Sequence, residues 1–136
     1  MKTTAERLLI KPGTRVRIAG DIPDAADRVG PLPGGAKLVD AGAGAVASSK
    51  ADAVVLFARN STEVTAHLPG AAQAAGPDGL LWLAYPKGSS GLKTDLGRDT
   101  LTLLTDRIAG LTGVTLVSVD ATWSAMRLRP SERYRA

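Results

Sequence analysis

Apolar residues in this chain follow two rhythms, and their alternation predicts the order of the secondary-structure elements. Residues 52–58 (DAVVLFA) and 80–85 (LLWLAY) are near-continuous apolar runs, the pattern of strands buried on both faces. Residues 14–19 alternate instead. Arg15 and Arg17 are polar while Val16 and Ile18 are apolar, which predicts a strand with one face open to water. A short strand over 37–39 ends at Asp40, and short helices are predicted over 4–10 and 24–29. Ser61 or Thr62 caps a further helix, with Glu63 in its first turn; that helix meets Pro69, a point of possible interruption, and continues through 71–75. Leu101, Leu104, Ile108 and Leu111 recur at helical spacing, predicting a helix from Thr94 or Asp95 to about Ala109, with Gly110 and Gly113 as terminators. Residues 41–51, rich in Ala, Gly and Ser, read equally well as a short helix or as a loop.

The final two strands, over 114–119 and 124–129, are separated by too few residues for a parallel crossover, so they must form an antiparallel hairpin. The whole order predicts one three-layer, Rossmann-like α/β domain. Its sheet is mostly parallel, of five or six strands, with a C-terminal antiparallel hairpin strand. The ends, residues 1–11 and 131–136, are peripheral, and the sheet is thinly covered near Arg15 and Arg17 because the first crossover is short. Right-handed crossovers carry every strand-to-helix loop to the carboxyl edge of the sheet. Residues 20–23, 40–42, Arg59 with Asn60, 87–94 and the hairpin turn 120–123 gather there, so a small-molecule site belongs on that rim.

Composition narrows the chemistry. A chain of 136 residues is long enough for one domain with a genuine core. It has no Cys, which removes disulfides and thiol chemistry, and its single His67 cannot supply a His cluster for a metal. The longest apolar run is too short to cross a bilayer, and the N-terminus lacks the apolar region of a secretory signal, so a cytoplasmic location is expected. The net charge of +4 is concentrated at the ends: residues 1–17 carry +4, residues 127–136 carry +3, and the body between them is mildly acidic. Such ends can touch nucleic acid or simply collect solubilising charge.

Residues 87–94 (KGSSGLKT) link a buried strand to a helix and are the richest candidate for a site. Lys87 and Lys93 supply charge, Ser89, Ser90 and Thr94 hydroxyls, and the glycines between them backbone access for an anion. The segment is not a nucleotide-binding P-loop, because Leu92 and Lys87 stand where that motif requires glycine. Arg59 and Trp123 lie on the same rim: Arg59 adds charge, and Trp123 either roofs a ligand or seals the end of the core. Gly20, at the end of the first strand, and Asp40, twenty residues on at the end of the second, have the spacing of a cofactor-binding glycine and a ribose-binding carboxylate. The other carboxylates are scattered, and no acid–base pair is placed by sequence.

The element order, the turn Ala75-Gly76-Pro77-Asp78-Gly79-Leu80-Leu81 and the terminal hairpin resemble a shortened class I methyltransferase fold. That resemblance implies S-adenosylmethionine as a cofactor at Gly20 and Asp40. The family's glycine-rich motif is absent around Gly20, and the segment 40–52 is too short for the family's helix, strand and helix, so one edge strand is expected to be missing. The segments LLWLAYPKGSSGLKTDLGRD and SVDATWSAMRLRP also resemble a family of small bacterial proteins of the domain-of-unknown-function kind. That resemblance implies a compact Rossmann-like domain and no particular activity. The leading functional expectation is a non-catalytic or weakly catalytic domain that binds a small anionic or nucleotide-like ligand at the rim, without a metal. The alternatives are a degenerate S-adenosylmethionine-dependent methyltransferase and nucleic-acid contact through the basic termini.

Overall fold

A computed structural model describes residues 4–20, 22, 25–38, 51–75, 79–87 and 94–131. Its elements are α1 (Thr4–Arg7), β1 (Arg15–Ala19), α2 (Ala25–Val29), β2 (Lys37–Leu38), β3 (Ala53–Phe57), α3 (Ser61–Ala75), β4 (Leu80–Pro86), α4 (Arg98–Ala109), β5 (Leu111–Ser118) and β6 (Trp123–Pro130). The strands form one six-stranded sheet in the order β2-β1-β3-β4-β6-β5. β2, β1, β3 and β4 are mutually parallel, and β6 runs antiparallel to both β4 and β5. The mostly parallel α/β sheet with an antiparallel C-terminal hairpin strand is therefore what the chain builds. Among the described residues the outer strands are β2, described over Lys37–Leu38, and β5, which pairs with β6 through a register shift between Gly113 and Thr115.

Alternation along the central strands divides the core into two faces. Val54, Leu56, Leu81, Leu83, Tyr85, Met126 and Leu128 point to one face, beneath α3 and α4, where Val64, Leu68, Ala71 and Leu101 meet them. Ala53, Val55, Phe57, Trp82, Ala84, Trp123 and Ala125 point to the other, packed against Ala5 and Leu8 of the N-terminal segment and Val29 of α2. All five residues of β3 are buried, as the unbroken apolar run requires of a central parallel strand. Each Leu or Val so buried is worth about 1.5–3 kcal/mol relative to exposure, so the two faces together hold the three layers. Trp82 is fully buried and donates its indole N–H to the Leu8 carbonyl at 2.8 Å, fixing the N-terminal segment against the sheet.

Local chemistry moves several boundaries from their predicted places. α1 stops at Arg7 because the chain turns there: the Leu9 N–H donates to Glu6 and the Ile10 N–H to Ala5, both at 3.0 Å, the paired bonds of a Schellman motif. The residue in the left-handed position is Leu9, with φ 61°, where glycine is the usual occupant. α3 is capped by Asn60, not by Ser61 or Thr62: its Oδ1 accepts the Glu63 N–H at 2.9 Å. α3 also runs unbroken through Pro69, which is exposed and costs the helix one N–H donor. α4 starts at Arg98 with Gly97 as N-cap, later than the spacing suggested, and ends at Gly110 in the left-handed conformation. Leu111, which fitted the helical spacing, is instead the first residue of β5.

The open face predicted for β1 is corrected in part. Arg15 is exposed, but Arg17 is only 7% exposed. The segment 39–50, where the sequence left helix and loop open, lies outside the described residues.

Candidate functional site

The sheet order locates a crevice. β1 connects outward to β2 and β3 connects the opposite way to β4, so the connections leaving the paired strands β1 and β3 diverge at their carboxyl ends. That is a topological switch point, where open α/β sheets take their ligands. Gly20 follows β1 at this point, with φ 112°. A Cβ there would sit 2.1 Å from the Phe57 carbonyl oxygen, so only glycine lets the chain leave β1 this close to the end of β3. Ala58, Arg59 and Asn60 continue β3 on the far side of the crevice.

Its neighbours on the rim are held by a chain of polar contacts. Arg59 binds Glu63 three ways: its backbone N–H to Oε1 at 2.8 Å, Nε to Oε2 at 2.7 Å and Nη2 to Oε2 at 2.6 Å. Asp95 accepts the Ser61 N–H at 2.8 Å and the Ser61 hydroxyl, which ties the segment before α4 to the start of α3. The Ser61 hydroxyl bond and then its N–H hold the Asp95 carboxyl below its ordinary value. Asp95 therefore serves α3 and not the start of its own helix. Thr94 Oγ1 accepts the Leu96 N–H at 3.0 Å, a local turn.

Lys87 leaves β4 with its N–H on the Thr122 carbonyl at 2.8 Å, and its Nζ donates to Ser118 Oγ at 2.7 Å. Its charge is thus directed toward the end of β5. In the hairpin turn, Asp120 Oδ1 accepts the N–H groups of Thr122 and Trp123 at 2.8 Å, and Oδ2 accepts Arg28 at 2.9 Å. Trp123 is 2% exposed; its ring meets Phe57 edge-on at 5.2 Å and lies under the Arg28 guanidinium at 5.8 Å. The indole thus sits inside the core beneath the rim.

Of the residues singled out from sequence, the structure brings Gly20, Arg59, Lys87, Thr94 and Trp123 to the carboxyl edge. Gly20 and Arg59 flank the switch point, while Lys87 and Trp123 sit one strand further on, at the β4–β6 junction. Asp40, Ser89, Ser90 and Lys93 lie outside the described residues. The Arg28–Asp120 pair and Glu63 were missed. The signal for Asp120 was present, an Asp opening a tight turn three residues before an apolar residue, whereas nothing local announces that Arg28 reaches it.

Several basic residues near the termini are built into the fold. Arg7 donates to the Val119 carbonyl at 3.0 Å, Arg15 lies 3.7 Å from Asp52, and Arg127 and Arg129 belong to β6. Among the described residues, no group of His, Asp and Glu could hold a metal, and no helix is long and apolar enough to cross a membrane.

No protein-family model matches the chain, and no curated protein matches it. Solved structures do. An O-methyltransferase from neocarzinostatin biosynthesis, in complex with S-adenosylmethionine and 2-hydroxy-5-methyl naphthoic acid, aligns over 96% of this chain with TM-score 0.60 and 18% identity. The chain spans 50% of that protein's length. A SAM-dependent methyltransferase from Aquifex aeolicus aligns over 90% of this chain and 85% of its own, with TM-score 0.58 and 12% identity. A ribosomal protein L11 methylase from Lactobacillus delbrueckii subsp. bulgaricus aligns over 93% and 74%, with TM-score 0.55 and 12% identity. At these identities the likeness establishes a methyltransferase-like fold.

Proposed function

We propose that this chain is a binding domain for a small nucleotide-like molecule at the carboxyl edge of the sheet, with S-adenosylmethionine or S-adenosylhomocysteine as the first members of that class to test. The observation that carries the reading is the crevice between β1 and β3, where Gly20 leaves bare backbone against the Phe57 carbonyl. The methyltransferase-like fold supports the same choice.

The residues fit this ligand in part. The switch point is where a nucleoside would sit, but the backbone cradle that a pyrophosphate needs is not there: Ile22, two residues past Gly20, packs against the core where G-x-G-x-x-G requires glycine. S-adenosylmethionine carries no phosphate, so this departure weighs against dinucleotides more than against it. Gly20 would line the nucleoside, Asp40 would meet the ribose hydroxyls, and Asn60 would close the opposite side. When bound, the sulfonium supplies a transferable methyl group. The chain's own residues bind and orient. On the described rim Glu63, Asp95 and Asp120 each accept hydrogen bonds from donors of the fold, which favours binding over acid–base catalysis.

Calorimetry and thermal shift with S-adenosylhomocysteine test this. Saturable binding at up to millimolar ligand, weakened by Asp40→Asn, is expected. No heat and no rise in melting temperature would remove the reading.

A further inference from the structure

At the opposite, amino edge of the sheet lies a cavity of about 440 Å³, within the roughly 300–1,000 Å³ range of small-molecule sites. Its walls are apolar: Leu9 and Ile10 come from the turn after α1, and Ala53 and Leu80 from the first positions of β3 and β4. It shares no residue with the carboxyl-edge crevice. We propose that this cavity binds a small apolar monocarboxylate, an acyl or aryl acid whose body fills the apolar walls and whose carboxylate meets the Arg127 guanidinium.

The charge inside the cavity points to that head group. Arg127 projects from β6 opposite Trp82, and its Nε is buried with no hydrogen-bond partner. That one N–H is left without an acceptor, and the partly exposed fork it belongs to matches a carboxylate. Lys11 adds a second cation at the mouth. The cavity's one carboxylate, Asp52, is engaged elsewhere: it accepts the Arg15 N–H at 2.9 Å and lies 3.7 Å from the Arg15 Nε. Asp52 lines the same cavity, and its negative charge disfavours a doubly charged head such as phosphate.

The apolar body is indicated by Leu9. The Schellman position it occupies costs nothing for glycine and strains leucine, so the fold alone gives no reason for a leucine there. Its side chain is 48% exposed and lines the cavity. A large apolar residue held in a strained conformation at the entrance of an apolar cavity suits recognition of an apolar ligand better than it suits stability.

The test uses the full chain and three probes: sodium octanoate, 1-octanol (the same tail without charge) and inorganic phosphate (charge without tail). Octanoate at millimolar concentration is expected to raise the melting temperature and shift the amide signals of Leu9, Ile10, Ala53 and Leu80, leaving those of Gly20 and Thr94 in place. Octanol and phosphate should bind at least about tenfold more weakly, and Arg127→Gln should weaken octanoate by at least about tenfold, the scale of one charged hydrogen-bonded pair. Leu9→Gly relieves the backbone strain, keeps the fold and still weakens octanoate, so loss of binding there is not loss of folding. The proposal is overturned by no response to octanoate, by equal affinity for octanol, or by shifts confined to the carboxyl edge.

Discussion

Arg28 and Asp120 meet at 2.9 Å across ninety-two residues of sequence, joining α2 to the turn between β5 and β6 and closing over Trp123. Burial acts to raise the Asp120 carboxyl, but the N–H groups of Thr122 and Trp123, followed by Arg28, outweigh it and hold the carboxyl below its ordinary 3.8. Because the folded value is depressed, the stability it contributes is present above the unfolded value and lost as pH falls through the folded one. Asp120→Asn should therefore cost about 1–3 kcal/mol at neutral pH. The gap between variant and wild type should close as pH drops below the ordinary carboxylate range, which urea titrations at several pH values would show.

Arg17 invites the opposite experiment. It is 7% exposed, and its Nε and Nη2 are buried with no hydrogen-bond partner. Arg17→Met removes an uncompensated charge while keeping length and apolar stem. It should raise stability by about 1–3 kcal/mol, seen as a higher urea midpoint with unchanged slope. A lower midpoint would mean that the guanidinium is satisfied in solution.

Gly20 should tolerate no side chain. Ala at this position places a Cβ 2.1 Å from the Phe57 oxygen, a backbone atom of a central strand, and also requires φ 112°. A loss of more than about 2 kcal/mol is expected from equilibrium unfolding. A near-neutral Gly20→Ala would show that β1 and β3 can part without penalty.

The basic loop after β4 can be separated from the crevice by changing Lys87 and Lys93 to Ala together. Loop charges of this kind contribute within about 0.5 kcal/mol, so the melting temperature should hardly move. Binding of S-adenosylhomocysteine should be unchanged; if the loop holds anions, any stabilisation of the wild type by phosphate, ATP or polyphosphate is lost in the variant. Equal responses to those anions in wild type and variant would make the loop a connection only.

Much of the architecture was legible because burial imposes period. The runs in β3 and β4 have no polar position to spare, and a strand covered on both faces can be written in no other way. The hairpin followed from chain length alone. What escaped was decided by contacts between distant residues. Nothing near Asp95 in sequence says that Ser61 will claim it, and nothing near Lys87 says that its amine will reach Ser118. Arg17 reads as a solvent-facing residue because alternation assigns it the same face as Arg15, yet it is buried while Arg15 is exposed, a difference that the strand's own pattern does not carry. The site suffered for the same reason. A loop dense in Lys, Ser and Gly stands out in sequence, whereas the crevice at Gly20 rests on strand order, which a linear reading cannot see directly.

The outer side of β5 carries a consequence for the molecule in crowded surroundings. A free strand border is a template on which another chain can add hydrogen bonds, and long, regular borders seed aggregation. Among the described residues β5 pairs on one side only, with β6, and its register is broken between Gly113 and Thr115, beside the exposed Val114 and Leu116. An incoming strand therefore meets no even ladder to copy along the whole of β5, and the interruption serves as a guard against neighbouring copies of the chain.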